Sequence, residues 1–202
     1  MSIVSTRGLS EADLATLATP GSVLPALEVL DLGSGSGSTI PDGVPRLAEG
    51  FVAGALPAVT YLGITGMHVG EAGASALAAA LDRGAMPRLK KLQLCNAVIG
   101  DAGLAGLAPA LRRRPALEQL YLWDNPFGDE GLAALVAPPP PAAGTPPLPA
   151  GGLKKLKALD LDYTQINDAG CVTLVAALDS GALPALEVEL FLIRHPRERR
   201  GD

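Results

Sequence analysis

Residues 117–135 read LEQLYLWDNPFGDEGLAAL, and this stretch decides the fold. Leu117, Leu120 and Leu122 are spaced as on a short buried strand with the turn that leads into it. Asn125 and Phe127 fall in the turn that follows. Gly128, Asp129, Glu130 and Gly131 read as a helix start, with Leu132 and Leu135 behind it. Other segments of the chain are imperfect copies of this one, so the unit has to be read as a repeat.

The strand pairs align as Leu30/Leu32, Leu62/Ile64, Leu92/Leu94, Leu120/Leu122 and Leu159/Leu161. Their second members are 32, 30, 28 and 39 residues apart. Self-similarity at such a period marks a stack of supersecondary units. Val69, Ile99, Phe127 and Ile166 stand five residues after the second member, and Gly73, Gly103, Gly131 and Gly170 nine after it. Leu77/Leu81, Leu107/Leu111, Leu135 and Leu174/Leu178 follow at helical spacing, on one helix face. Gly70, Gly100, Gly128 and Asn167 stand where helix N-caps belong. Glu71, Asp101, Asp129 and Asp168 follow in the first turn, where a carboxylate suits the helix dipole. Pro25, Pro57, Pro87, Pro115 and Pro184 mark the returns, each two residues before the next strand segment's first apolar position. Each unit is therefore a strand, a turn, an amphipathic helix and a short return.

The pattern LxxLxLxxNxIxxxGxxxLxxxL, about 28 residues long, resembles the leucine-rich repeat of the ribonuclease-inhibitor type over residues 24–178. The resemblance implies an α/β leucine-rich repeat solenoid, a horseshoe of five to six repeats with a parallel concave sheet and convex helices. The turn asparagine of that pattern occurs here only as Asn125. Met67, Ala97 and Thr164 occupy its other positions, and Gly35 the one in the first unit, which predicts looser turns there.

Around this domain, spanning 24–192, the sequence predicts three further regions. Residues 1–23 read as a partial repeat, with Ser10 capping a short helix that carries Leu14 and Leu17. Residues 137–152 are a proline-rich insertion that interrupts the fourth helix and accounts for the 39-residue spacing. Residues 193–202 form a basic tail, where Arg200-Gly201-Asp202 is a chance tripeptide. A sixth unit starts at Leu183 but is out of phase at Glu189, and no helix follows. The chain therefore reads as a fragment of a longer protein or a truncated reading frame.

Composition narrows the function. Hydrophobic residues make up 48% and aromatics 3%, so the core is aliphatic. A net charge of -5 argues against a nucleic-acid footprint. No segment has the length of a signal peptide's apolar core or of a membrane span, and two cysteines make no disulfide framework, so a cytoplasmic protein is expected. Cys95 should point to the concave surface, and Cys171 into the core. The two histidines have no nucleophile motif near them, and no phosphate loop or metal-ligand spacing occurs. The chain reads as non-catalytic, with no cofactor and no metal.

What remains is the concave face. The only Trp and all three Tyr fall on its rows, and Tyr121, Trp123, Asp124, Asp160, Asp162 and Tyr163 lie on two neighbouring strands. With Tyr61, Lys91, Gln93 and Gln119 they form a candidate surface for a basic protein partner, through aromatic area and cation–π contact. Two alternatives share the repeat type: a regulator of a small GTPase resembling the Ran GTPase-activating protein, and the repeat region of a NOD-like intracellular sensor. The run Arg112–Arg113–Arg114 reads as a solvated return.

Overall fold

The structure is a computed structural model that describes residues 2–5, 26–33, 43–51, 56–136 and 152–187. Six strands form one parallel sheet in chain order: β1 (Ser2–Ser5), β2 (Leu27–Gly33), β3 (Tyr61–Thr65), β4 (Lys91–Gln93), β5 (Gln119–Tyr121) and β6 (Ala158–Asp160). Among the described residues five helices cover one face: α1 (Gly43–Gly50), α2 (Gly70–Asp82), α3 (Asp101–Arg112), α4 (Asp129–Val136) and α5 (Asp168–Asp179). The predicted register holds across the sheet. Leu30 pairs with Leu62, Leu62 with Leu92, Leu92 with Leu120 and Leu120 with Leu159. The paired leucines, Val69, Ile99, Phe127 and Ile166, and the helix leucines pack into one core, with Leu159 and Leu178 at its margin.

Hydrogen bonds between neighbouring units explain how the copies are locked in register. Asn125 is 2% exposed. Its Oδ1 accepts from Ala97 N at 3.1 Å and Ile99 N at 3.0 Å, and its Nδ2 donates to Leu94 O and Leu122 O, both at 2.7 Å. A left-handed backbone at Val98 (φ 57°) brings the N–H groups on either side of it onto that one oxygen. Thr164 makes part of the same arrangement, its hydroxyl donating to Leu161 O at 2.8 Å. Met67 and Ala97 fill their buried turn positions with apolar volume instead.

The first-turn carboxylates act across units. Asp101 Oδ1 accepts from Gly128 N at 2.8 Å and Gly131 N at 2.7 Å, capping the next helix. Asp129 Oδ1 accepts from Asn167 N at 3.0 Å in the same sense. The helix glycine makes room for this: a Cβ at Gly131 would stand 2.8 Å from Asp101 Oδ1 and 3.2 Å from Phe127 Cβ. Gly100 and Asn167 are N-caps as expected, and Asn167 Oδ1 accepts from Ala169 N at 2.8 Å. Gly70 instead is the first residue of α2, with Val69 as its cap.

Pro57, Pro87, Pro115 and Pro184 are second residues of tight turns closed by Val59 N to Leu56 O, Leu89 N to Met86 O, Leu117 N to Arg114 O and Leu186 N to Leu183 O, while Pro25 lies outside the described residues. Proline presets φ for that position. In the fifth unit Lys154 takes its place, and Leu156 N closes the turn on Leu153 O at 3.0 Å.

Several expectations change. Residues 2–5 add a strand at the sheet's N-terminal edge, paired with β2. The helix predicted around Ser10, the insertion 137–151 and the tail lie outside the described residues. The arginine run is a solvated return only at Arg113, which is exposed. Arg112 is half-buried and donates to Ala134 O and, at 3.4 Å, Leu135 O. Arg113 grips Asp82 with two bonds, at 3.1 and 2.6 Å, and Arg114 is half-buried. Burial lowers the pKa of both Arg112 and Arg114. The run therefore ties α3 to its neighbours on both sides.

Candidate functional site

Parallel sheets are normally covered on both faces. Here helices cover one, and the other carries the residues between the leucines. The register places Tyr61, Lys91, Gln119 and Ala158 in one row, and Gly63, Gln93, Tyr121 and Asp160 in the next.

At the β3–β5 end, the side chains satisfy one another. Lys91 Nζ stands 5.0 Å from the Tyr61 ring centroid and 4.7 Å from that of Tyr121, held between two π faces. Tyr61 leans across Gly63, where a Cβ would stand 2.7 Å from its hydroxyl. That hydroxyl donates to Gln93 Oε1 at 3.0 Å, and Gln93 Nε2 donates to Thr65 Oγ1 at 3.2 Å. Burial, then the charge of Asp31, pushes the Tyr61 phenol up to about 12. Tyr61, Lys91 and Gln93 are thus a preformed network. Gln119 is half-buried beside Lys91.

Cys95 does not present its thiol to solvent. It is fully buried, with Sγ 3.6 Å from Tyr121 O, because the side chains of neighbouring rows close over it. Burial, then the charge of Asp160, pushes the thiol up to about 12, so it is protonated at neutral pH. Cys171 is only partly buried at the core margin.

At the β5–β6 end the chemistry is unbalanced. Tyr121 and Asp160 are register partners, and Trp123 is half-buried beside them on the same strand segment as Tyr121. Burial raises the Asp160 carboxyl, and the Asp162 charge adds to it. Asp160 Oδ1 accepts from Asp162 N at 3.1 Å. Asp162 Oδ1 is buried with no hydrogen-bond partner among the described residues.

The row beyond the strands is a row of turns. Gly66, Asn96, Asp124 and Tyr163, two residues after each second leucine position, all have left-handed backbones, with φ of 70°, 49°, 57° and 55°. The N–H groups of the first three still continue the ladder: Gly66 N donates to Cys95 O at 3.0 Å, Asn96 N to Trp123 O at 3.0 Å and Asp124 N to Asp162 O at 2.9 Å. The sharp bend turns Asp124 and Tyr163 away from the sheet rows and exposes both. Asn96, Val98, Asp124, Pro126, Tyr163 and Gln165 enclose a groove of about 360 Å³ there. Val98 and Gln165 carry no landmark of the repeat, so the leucine period gave no sign of them.

A family model described as Leucine Rich repeat matches residues 115–136 and 152–175, the fourth and fifth units. A solved structure titled Leiomodin-1 Actin-Binding Site 2 (ABS2) aligns over 87% of this chain and 91% of its own, with a TM-score of 0.58 and 15% identity. The chain is a leucine-rich repeat solenoid. No curated protein gives a significant sequence match. In the solenoid's terms, the half-buried rows lie on the concave face and the groove lies along its rim. Among the described residues, no helix is long and apolar enough to cross a membrane.

Proposed function

We propose that this solenoid is a non-catalytic interaction module of the cytoplasm. It takes a protein partner on its concave face, centred on Tyr121, Trp123, Asp160 and Asp162. The observation that carries this reading is the Asp160–Asp162 carboxylate pair beside the half-buried Tyr121 and Trp123, on a sheet face that no described helix covers. A Lys or Arg of the partner would pair with the Asp160 and Asp162 carboxylates, and the Trp123 and Tyr121 rings would supply apolar area next to it. Lys91 and Gln93, already held by Tyr61, Tyr121 and Thr65, pre-shape the neighbouring surface. The repeats fit the ribonuclease-inhibitor type in their spacing and in carrying full α-helices of 12 to 13 residues in three units.

The test is affinity capture from cell extract with the wild type and Trp123→Ala in parallel. A partner retained by the wild type and depleted by the variant, with matching circular dichroism and melting, is the expected result. Purified actin is a defined first probe, since a protein of similar fold is titled for an actin-binding site. Equal retention of every captured protein by both forms would defeat the reading.

A further inference from the structure

The groove along the rim has a different character from the sheet rows. Val98 and Tyr163, 47% and 37% exposed, are two of the four exposed large apolar side chains among the described residues, and both line it. Pro126 extends that apolar wall. Asp124 is the single charged side chain in the lining, and it is exposed. Among the described residues, no Lys, Arg or His lines it. Asp160 and Asp162 on the adjoining strand segment add negative potential nearby. The groove crosses the turns after β4, β5 and β6, which are linked in sequence by ladder hydrogen bonds. At about 5 Å per strand it is about 10 Å long, the span of about three residues of extended chain.

We infer that this groove docks an extended segment of a protein partner that carries an arginine or lysine next to an aliphatic side chain. The aliphatic side chain packs on Val98, Pro126 and Tyr163. The cation pairs with the Asp124 carboxylate, with the Tyr163 ring within its reach. The inference rests on the reading of this solenoid as a protein-interaction module, and not on where on the concave face the partner is centred. It adds a specificity-determining rim to that face, and the rim decides which basic segment is accepted.

Two substitutions separate docking from folding. Asn is at least as comfortable as Asp in the left-handed region, so Asp124→Asn removes the charge and keeps the turn. Val98→Asn removes apolar lining while relieving a β-branched residue at φ 57°. The experiment probes an array of acetylated hexapeptides, each position varied in turn, with the labelled 202-residue chain. Wild type should select Arg or Lys beside Val, Leu or Ile. Asp124→Asn should reduce the preference for Arg over Gln by about fivefold, as loss of one accessible ion pair does. Val98→Asn should lose selection for the aliphatic neighbour by about tenfold, yet melt no lower than wild type. Trp123→Ala should leave the peptide preference intact. Absence of any Arg or Lys preference, or a preference that survives Asp124→Asn, would overturn the inference. If partner capture depends on Trp123 while the array shows no basic preference, the groove assignment fails and the concave-face reading stands. A basic preference governed by Asp124, alongside capture that ignores Trp123, supports the groove and removes the sheet-centred reading.

Discussion

Asn125 holds two units together with one side chain. Replacing it with Ala leaves Ala97 N, Ile99 N, Leu94 O and Leu122 O without their partner in a buried turn. Each unsatisfied buried group costs about 1–3 kcal/mol, and water entering the new space offsets part of it, so a net loss of about 2–4 kcal/mol is expected. The urea midpoint of Asn125→Ala measures this. A change under about 0.5 kcal/mol, typical of surface positions, would mean the turn does not depend on the side chain. Cys95 gives a second prediction. Its thiol is buried and its pKa raised to about 12, so native protein should be alkylated by iodoacetamide at Cys171, and Cys95 should react only after unfolding. Because the raised value keeps the thiolate scarce until the pH nears 12, raising the pH from about 7 to about 9 should not expose Cys95 chemistry. Mass spectrometry of the labelled sites decides it, and equal labelling of both cysteines would contradict the burial described.

The helices show why position outweighs propensity. Gly106 and Gly131 both lie within helices, and alanine is the better helix former by about 1 kcal/mol. Nothing lies within 4 Å of a Cβ built on Gly106, so Gly106→Ala should stabilise by up to about 1 kcal/mol. On Gly131 the Cβ meets Asp101 Oδ1, which is held in place by Gly128 N and Gly131 N. Displacing that carboxylate breaks two caps, so Gly131→Ala should destabilise by about 1–3 kcal/mol despite the gain in propensity. Thermal melting of the two variants tests the pair, and the same sign for both would sink the cross-unit cap. The sequence suggested a carboxylate serving its own helix dipole. Asp101 and Asp129 do stand in the first turns of their own helices and also serve the next helix, a partner that becomes visible only when two units lie side by side.

In the whole molecule, the leucine register was fully legible, because a buried strand pair repeating at a near-constant period leaves no other alignment. Phe127 and its equivalents and the helix glycines followed from the same period. The strand at residues 2–5 was not legible, since four residues of SIVS carry no repeat landmark. Helix α1, GVPRLAEG, was out of phase with the others because residues inserted after β2 displace its glycine: Gly43 follows Leu32 by eleven residues and not nine, with buried Leu47 and Phe51 behind it at the usual spacing. On the concave face, sequence assigned rows correctly but not their environments. Cys95 lies in an outward row and is still buried, and Lys91 is clasped by two tyrosines, because neighbouring rows cover one another in ways that periodicity does not encode. The left-handed backbone that turns Asp124 and Tyr163 onto the rim was equally hidden, since neither residue is glycine.

Among the described residues one broad face of the solenoid carries no helix, and partner binding is proposed there and not on the helical side. Val172, on the exposed surface of α5, provides a matched control. The most direct measurement is the affinity of the captured partner, by calorimetric titration, for the wild type, Trp123→Ala and Val172→Ala. The account predicts at least about a tenfold loss for Trp123→Ala, in the range of an aromatic hot spot, and wild-type affinity for Val172→Ala. Unchanged affinity for Trp123→Ala with a loss for Val172→Ala would contradict it and move the interface to the helices.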